Sequence, residues 1–335
     1  MKKFFLPEKG TFYKANLHCH STVSDGRWSP EKIKEEYMAR GYSIVAYTDH
    51  DVLVPHSELA EENFLPLNGV EYEVTETDDR EFKFKKTCHM CMIALDPTNL
   101  KHVCYHRTKY LYEKTEKYRA TLQYDENEPD FEREYTPGCI STMMKAGRDN
   151  GFFVTYNHPV WSQEGYEDYM GYNHMHAMEM CNYGCVYHGY NDYNEKEYDD
   201  MLKGGKRIFC ISTDDNHNIS KDSFGGFTMI KADKLEYKTI TDALVKGNFY
   251  ASQGPEIHDF WYEDGKVHIT CSDAKRIVLS TGIRKVTCVT SETDEFVNSA
   301  EFEVSKDMKY IRVTVTDACG NHANTNAYFT DEFME

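Results

Sequence analysis

Short apolar runs alternate with capped, amphipathic stretches from the start of the chain to about Gly254, and this alternation constrains the fold more than any other feature. Residues 12–20 have the pattern of a strand, after which Ser29 and Pro30 stand where a helix N-cap and the first helical residue are expected. Gly41 marks the end of this helix. Further strands are predicted at residues 43–48, 65–74, 88–95, 152–156, 177–180 and 207–212. Strands separated by helices are typical of β-α units that build a parallel sheet.

Two parts of the chain break this rhythm. Residues 98–137 are charged and rich in tyrosine, and we interpret them as a partly helical insertion that forms either a lid or a solvated surface helix. From residue 255 onward the runs become short, alternating and β-branched, with turn signals such as Asp264-Gly265 between them. The sequence therefore predicts a first domain at residues 1–254 and a small all-β, sandwich-like domain at residues 255–335.

The balance of charge narrows the range of partners. The 335 residues include 56 Asp and Glu against 38 Lys and Arg, which gives a formal net charge of −18 at pH 7. Such a surface repels a phosphate backbone, so extended nucleic acid is a disfavoured partner. No window of the sequence has the roughly 20 apolar residues that a membrane helix needs, so we expect no membrane partner. The 11 cysteines are odd in number and scattered, which favours reduced thiols and a cytoplasmic location.

Histidines give the first sign of chemistry. In Leu17-His18-Cys19-His20, alternate side chains of a strand point to opposite faces, so His18 and His20 share a face and can bind one ion. A single pair of this kind also occurs in ordinary packing. Its interpretation therefore depends on ligand-type residues elsewhere in the chain.

Further ligand-type residues lie on or just after successive predicted strands. They are Asp25, His50, Glu71, His89, His158, Asp215 and His217. Where the strands of a β-α barrel end, their side chains converge on one face. Buried charges in such number need counter-ions, and divalent metals supply them most simply.

These residues stand in motifs that resemble those of the PHP (polymerase and histidinol phosphatase) superfamily of metal-dependent phosphoesterases. The motifs occur in the family's order, and they are His18-Cys19-His20 with Ser24-Asp25-Gly26, Thr48-Asp49-His50-Asp51, Gly69-Val70-Glu71 with His89, Asn157-His158-Pro159, and Asp215-Asn216-His217. Residues 248–255, together with the β-rich tail, are similar to members that carry a carboxy-terminal sandwich.

The resemblance implies an α/β fold, a distorted (β/α)7 barrel, and a centre for two or three divalent metal ions. By this resemblance, the ligands of the first ion are His18, His20, Glu71 and Asp215, those of the second are Glu71, His89 and His158, and those of the third are Asp25, His50 and His217. Some relatives have histidine where this chain has Asp25, and the carboxylate makes the third site richer in oxygen. Nitrogen and oxygen ligands without cysteine suit Mn, Fe or Zn, and ligand type does not choose among these metals.

Such a centre implies a hydrolase whose nucleophile is a metal-bridging hydroxide held at Glu71. The acid that protonates the leaving group is left open by the sequence. Asp49 and Asp51 are two candidates for it, and a metal-bound water is a third.

Four other residues are candidates for contact with the substrate. Arg27 is placed to contact a phosphate through its planar guanidinium, or else it is a solvated loop residue. Glu179 and Asn182 end a predicted strand, where they can contact the substrate or support the metal ligands. His176 can line the pocket, with a solvent-facing loop position as the alternative.

We therefore expect a metal-dependent phosphoesterase that acts on a small phosphorylated metabolite or a short nucleotide, because the acidic balance disfavours polymers. An exonuclease-like phosphodiesterase is the alternative within the same chemistry. A non-catalytic, metal-stabilised protein that binds a glycan or a protein partner is the alternative from another class. The sequence leaves the oligomeric state open.

Overall fold

The computed structural model describes residues 2–291 and 295–334. The strands of the described part are β1 Lys3–Phe4, β2 Thr11–Asn16, β3 Ile44–Tyr47, β4 Leu65–Thr75, β5 Thr87–Ala94, β6 Phe152–Tyr156, β7 Ala177–Asn182, β8 Phe209–Thr213, β9 Phe227–Ala232, β10 Phe249–Ser252, β11 Ile257–Glu263, β12 Lys266–Ala274, β13 Arg276–Thr281, β14 Thr287–Thr290, β15 Val297–Glu303, β16 Tyr310–Thr316, β17 His322–Thr325 and β18 Tyr328–Phe329.

The α-helices are short and lie mostly between the strands of the first two thirds of the chain. They are α1 Pro30–Met38, α2 Pro137–Asp149, α3 Tyr166–Gly171, α4 Tyr183–Tyr187, α5 Glu195–Lys203, α6 Tyr237–Lys246 and α7 Thr330–Phe333. Four 3-10 segments cover Ser57–Leu59, Phe82–Phe84, Glu113–Thr121 and Lys306–Met308. In α1 the Ser29 hydroxyl accepts a hydrogen bond from the Lys32 amide at 3.3 Å, which confirms the predicted cap.

The large sheet is mixed rather than parallel. Strands β2, β3 and β4 run parallel to one another, as do β6, β7 and β8. Strand β5 is antiparallel to both of its neighbours, β4 and β6, and β9 is antiparallel to β2 and β10. The predicted parallel sheet is therefore present only in part, as these two groups of three strands. Residues 76–86, which join β4 to β5, hold only a 3-10 turn, and a segment this short favours a return beside β4 over a helical crossover.

Strand β8, at one end of the large sheet, approaches β9 at Thr228. Its Oγ1 donates to the Ser212 carbonyl at 3.0 Å and accepts from the Ser212 amide at 3.3 Å, so β9 contacts β8 through a side chain. The α/β class with a large sheet is confirmed, and closure into a seven-stranded barrel stays a prediction.

The carboxy-terminal region is all-β, as expected, but it is joined to the large sheet. Strands β1, β11, β12 and β15 form a separate four-stranded sheet, whereas β13, β14, β16, β17 and β18 continue the large sheet because β17 pairs with β10. The two layers share one apolar core, in which Phe260, Ile269 and Phe302 pack with Leu279 and Val313.

The predicted division of the chain at residue 254 stays a prediction. Its outer limits, residues 1 and 335, lie outside the described residues. Strand β1 falls within the predicted first domain, yet it pairs with β11 of the carboxy-terminal sheet.

The insertion at residues 98–137 is mostly irregular, with one 3-10 segment at Glu113–Thr121. It is tied to the body of the protein by Arg133, whose Nη1 donates to Asp51 Oδ1 and to the Glu73 carbonyl, each at 2.7 Å. The insertion therefore contacts residues that adjoin the histidine-rich end of the sheet, as a lid would.

None of the helices within the described ranges has both the length and the apolar character needed to cross a membrane. All 11 cysteines are free thiols, and most of them are buried.

Candidate metal centre

The predicted ligands gather at one end of the sheet. His18 and His20 follow β2, and His50 follows β3. Glu71 and His89 lie on the neighbouring strands β4 and β5. The remaining predicted ligands are Asp25 in the loop after His20, His158 just beyond β6, and Asp215 and His217 just beyond β8. His18 and His217, which are 199 positions apart in the chain, thus reach a single site.

The backbone turns sharply where three strands deliver these side chains. Asp51, His158 and Asp215 have positive φ angles of 56°, 25° and 51°. Residues other than glycine adopt this conformation at a cost in free energy, and such residues cluster at functional sites. The surrounding hydrogen bonds hold them there, since the Asp51 amide donates to the Glu71 carbonyl at 2.8 Å and the Asp215 amide to the His18 carbonyl at 3.0 Å.

Glu71 lies at the centre of the cluster and is 1% exposed. Five imidazoles surround its carboxylate at 3.1 to 3.4 Å: His18 Nε2 at 3.1 Å, His20 Nε2 at 3.2 Å, His50 Nδ1 at 3.2 Å, His89 Nδ1 at 3.1 Å and His158 Nε2 at 3.4 Å. A carboxylate in this position can be shared between neighbouring cations.

Three sets of side chains each bring their ligand atoms within 4.8 Å of one another. The sets are His18, His20, Glu71 and Asp215; His20, Asp25, His50 and His217; and His50, Glu71 and His89. The first set has the same members as the first predicted site, and the second set adds His20 to the third predicted site. The last set has His50 where the resemblance implies His158, whose Nε2 is 3.7 Å from Asp215 Oδ2.

Several atoms of the cluster fit a bound cation better than a hydrogen-bonded network. Glu71 Oε2, Asp215 Oδ1 and His89 Nε2 are buried and make no hydrogen bond of regular geometry, although imidazole nitrogens lie close to both carboxylate oxygens. In addition, His18 Nε2 and His20 Nε2 lie 3.1 Å apart and each is within 3.1 Å of Asp215 Oδ1. Buried polar atoms without partners are rare in native proteins, so this convergence of lone pairs indicates a place for divalent ions.

The electrostatics of the cluster without ions support this interpretation. Burial by itself lowers the pKa of His18 and His20, but Asp215 and Glu71 outweigh it and raise both pKa values well above the ordinary range. In the same way the pKa of His158 rises to about 9 against the effect of burial. Burial disfavours the charged carboxylates, yet the imidazoles hold the pKa values of Glu71 and Asp215 below their usual range. Protons therefore occupy the place of cations when ions are absent.

Glu179 orients the metal-ligand set and does not contact the cavity. It is fully buried, and its Oε1 lies 2.7 Å from His18 Nδ1 and accepts from Thr213 Oγ1 at 2.6 Å. Its Oε2 accepts from the His158 amide and from Asn182 Nδ2, each at 2.9 Å. The carboxylate fixes the proton of His18 on Nδ1, which turns the Nε2 lone pair toward Glu71.

This placement bears on the two roles predicted for Glu179 and Asn182, contact with the substrate or support of the metal ligands. Asn182 is also fully buried, and its Nδ2 reaches Asp215 Oδ2 at 3.1 Å while its Oδ1 caps α4 by accepting from the Cys185 amide. Both side chains have their hydrogen-bonding capacity filled by the ligands and their supports. The alternative role named above, support of the ligands, is the one the contacts favour.

We expect Glu179→Gln to weaken the binding of divalent metal 10- to 100-fold. The amide can present an acceptor to His18 or to the His158 amide, but its NH₂ group then faces a donor on the other side. Metal titration of the purified variant measures the effect. Glu167→Gln, an exposed position on α3, is the control. Unchanged metal affinity in Glu179→Gln would show that the carboxylate does not position His18.

Asp49 is not placed to act as an acid. Its Oδ1 accepts from the Ser21 amide, the Ser24 amide and Ser24 Oγ at 2.7 to 3.0 Å, and its Oδ2 accepts from Ser21 Oγ at 2.9 Å. With 2% exposure and four donors, this carboxylate holds the loop between His20 and Asp25. The prediction of an acid role for Asp49 is corrected on that ground.

Asp51 remains a candidate for the acid that protonates the leaving group. It lines the cavity above the cluster, and burial raises its pKa to about 6 although Arg133 opposes the shift. Asp49 and Asp51 flank His50 in the sequence and look equivalent there. Only their hydrogen bonds distinguish the two carboxylates.

His176 and Arg27 lie apart from the ligand cluster. His176 precedes β7, at the end of that strand opposite the cluster, where its Nδ1 accepts from the Val154 amide at 3.0 Å and its ring stacks on Phe153 at 4.9 Å. Burial lowers the pKa of His176 to about 4. The described residues that line the cavity do not include His176, and its contacts favour a packing role over the predicted pocket role. The Arg27 side chain is exposed, and only its amide reaches the site, by donating to the His217 carbonyl at 2.9 Å. Its predicted phosphate contact stays a prediction.

A cavity of about 390 Å³ opens onto the cluster and includes residues that the sequence did not single out. Trp161 packs edge-on against the rings of His89 and His158, with centroid distances of 5.3 and 5.1 Å. Tyr112, from the insertion, lies 5.8 Å from the His50 ring. Trp161 comes three residues after His158, and this spacing was a signal that the sequence offered.

Comparisons with known proteins give limited similarity. No protein-family model matches the chain. A segment of 49 residues is 41% identical to a 5′-3′ exoribonuclease of Haemophilus influenzae, and it covers 14% of this chain and 18% of that protein.

Solved structures align over more of the chain, at low identity. A two-domain protein of Bacteroides vulgatus, described as containing a predicted PHP-like metal-dependent phosphoesterase, aligns over 94% of both chains with 16% identity and a TM-score of 0.45. A Bifidobacterium adolescentis protein assigned as a metal-dependent phosphoesterase aligns over 72% of this chain and 98% of its own, with 15% identity and a TM-score of 0.42. An amidohydrolase of Chromobacterium violaceum with bound sulfate aligns over 62% and 89%, with 16% identity and a TM-score of 0.36. The chain itself carries a histidine and carboxylate cluster that can hold metal.

Proposed function

We propose that this protein is a metal-dependent phosphoesterase of the PHP type that hydrolyses a small phosphorylated metabolite or a short nucleotide. The position of Glu71 carries the proposal. A carboxylate that is 1% exposed and lies within 3.4 Å of five imidazole nitrogens fits a centre shared by more than one cation.

The residues that would hold the ions are the nine predicted ligands. In the site that contains Glu71 and His89, the predicted third ligand is His158, whereas the ligand atom of His50 is the one that lies within 4.8 Å of the other two. When bound, divalent ions of this kind supply a hydroxide nucleophile near neutral pH and neutralise phosphate oxygens. Mn, Fe and Zn all suit these nitrogen and oxygen donors.

The protein's own side chains orient the ligands and exclude water. Glu179 fixes the tautomer of His18, and Ser162 Oγ lies 3.2 Å from His158 Nδ1 and orients that ring. Trp161 covers the outer side of His89 and His158. Asp51 lines the cavity, which supports it as a candidate for the acid that protonates the leaving group, beside a metal-bound water.

Metal analysis combined with an activity screen tests the proposal. The purified protein is stripped with a chelator, reloaded with Mn, Fe or Zn, and assayed on phosphomonoesters, phosphodiesters and 5′-phosphorylated oligonucleotides. We expect no turnover after stripping and recovery with at least one metal. Turnover that survives complete removal of metal, or a protein that binds no divalent ion, would contradict the proposal.

The exonuclease-like alternative has one observation in its favour, the 49-residue match to a protein named as an exoribonuclease. Faster hydrolysis of the oligonucleotides than of any small ester would support it. Inactivity on every ester with ions bound, together with tight binding of a glycan, would support the non-catalytic alternative.

A further inference from the structure

The mouth of the cavity carries large apolar side chains that are left open to solvent. Phe82, Tyr112, Tyr190 and Ile219 line it and are 52%, 39%, 45% and 55% exposed. They account for four of the ten most exposed large hydrophobic residues in the described part of the chain. A cluster of this kind beside a ligand site marks a surface that an apolar group covers.

Aromatic rings form a continuous path from this mouth to the metal-ligand cluster. Phe82 lies 6.3 Å from Trp161, and Trp161 lies 5.1 Å from the ring of His158. A planar group that packs on Phe82 and Trp161 would therefore have its attached ester beside the imidazoles. Ring-to-ring contact favours a planar aromatic group over an aliphatic group of similar size.

The charge on the cavity wall limits the number of phosphates. Among the described residues that line the cavity there is no lysine or arginine, whereas six are carboxylates: Asp25, Asp51, Glu71, Glu73, Asp215 and Asp222. The Arg133 guanidinium lies behind the wall, where it pairs with Asp51 at 2.7 Å and does not offer its charge to a ligand in the cavity. Ions at the centre can neutralise one phosphate, but a second phosphate near the mouth would face carboxylates such as Glu73 without a cation.

We propose that the cavity selects esters of a single phosphate whose organic part is a planar aromatic ring, and that it rejects substrates with a second phosphate remote from the reacting one. This inference rests on the proposed function and names the substrate class of the same site. Phe82 and Trp161 determine the preference for the ring, and the carboxylate-lined wall determines the rejection of the second anion.

The ring preference is tested with metal-loaded protein on benzyl, cyclohexylmethyl and ethyl phosphate, which are all esters of primary alcohols. We expect kcat/KM for benzyl phosphate to exceed that for ethyl phosphate about 30-fold, with cyclohexylmethyl phosphate between them. Calorimetric binding of benzylphosphonate and ethylphosphonate gives the same comparison without turnover. Equal values for benzyl and ethyl compounds in both measurements would overturn the ring preference.

Phe82→Ala and Phe84→Ala form a matched pair of variants. Both phenylalanines lie on the 3-10 turn Phe82–Phe84 and are similarly exposed, at 52% and 55%, but only Phe82 lines the cavity. We expect Phe82→Ala to reduce the benzyl-to-ethyl ratio about 5-fold and Phe84→Ala to leave it unchanged. Equal ratios in Phe82→Ala and the parent protein would contradict the role of this wall.

The second half of the proposal is tested by adding a non-hydrolysable anion. We expect 4-(phosphonomethyl)benzyl phosphate to be hydrolysed at least about 10-fold less efficiently than 4-methylbenzyl phosphate. An equal or faster rate for the doubly charged ester would overturn it. Failure of the specificity leaves hydrolysis of simple esters intact, whereas failure of the proposed function abolishes turnover of all of them, so the two outcomes are distinct.

Discussion

Replacing Glu71 by glutamine is expected to lower kcat/KM for a phosphomonoester about 1000-fold or more, which corresponds to about 4 kcal/mol of transition-state stabilisation. The Glu71 carboxylate contacts His18, His50 and His89 at 3.1 to 3.2 Å, and it belongs to two of the three ligand sets. An amide supplies one weak oxygen ligand and no charge. We therefore expect the variant to lose bound metal as well as activity, as measured by elemental analysis and steady-state kinetics.

Glu76→Gln is the matched control, since Glu76 immediately follows the same strand but faces Arg80 and the Lys86 amide outside the cavity. Circular dichroism and the thermal unfolding midpoint establish that both variants are folded. Full metal content with unchanged kcat/KM in Glu71→Gln would show that this carboxylate is not a shared ligand.

Removal of the metal is expected to make the protein take up protons near neutral pH. The imidazoles of His18, His20 and His158, whose pKa values are raised in the ion-free cluster, must be neutral in order to bind ions. Protons and metal therefore compete, and the apparent metal affinity rises with pH. Titration calorimetry in two buffers that differ in ionisation enthalpy measures the number of protons, and a binding heat independent of the buffer would contradict the expectation.

The same linkage gives a pH dependence of stability with a definite sign. The pKa of His158 rises from 6.5 to about 9 on folding without ions. Its contribution to stability is therefore complete below pH 6.5 and is lost as the pH rises to about 9. We expect the unfolding midpoint of the chelated protein to fall across this interval, and the midpoint of the metal-loaded protein to fall less. A rising midpoint for the chelated protein would contradict the role of imidazolium in the cluster.

The sequence predicted most of the strands and the convergence of the ligand-type residues because both depend on local order. Short apolar runs define strands such as β6 at Phe152–Tyr156, and a ligand at the end of a strand is carried to the end of the sheet. The antiparallel position of β5 was missed because periodicity records the length of a strand and not its direction.

The roles of side chains at the site depend on partners that are distant in the chain. Glu179 and Asp49 are both carboxylates next to predicted ligands, and only the four hydrogen bonds to each show that they hold other groups in place. His176 precedes the predicted strand that carries Glu179, yet it lies at the end of β7 opposite to Asn182 and the ligand cluster. The contribution of Tyr112 could not be anticipated, because an irregular insertion has no periodicity from which its path can be deduced.

The pairing of β10 with β17 has a consequence for how the molecule can be divided. Tyr250, Ala251 and Ser252 share a ladder with Thr325, Asn324 and Ala323. A chain shortened after residue 254 would expose this ladder as a bare edge, and bare edges recruit strands from other molecules. The carboxy-terminal strands therefore cover the edge of β10 and prevent self-association of the sheet that bears the predicted metal ligands.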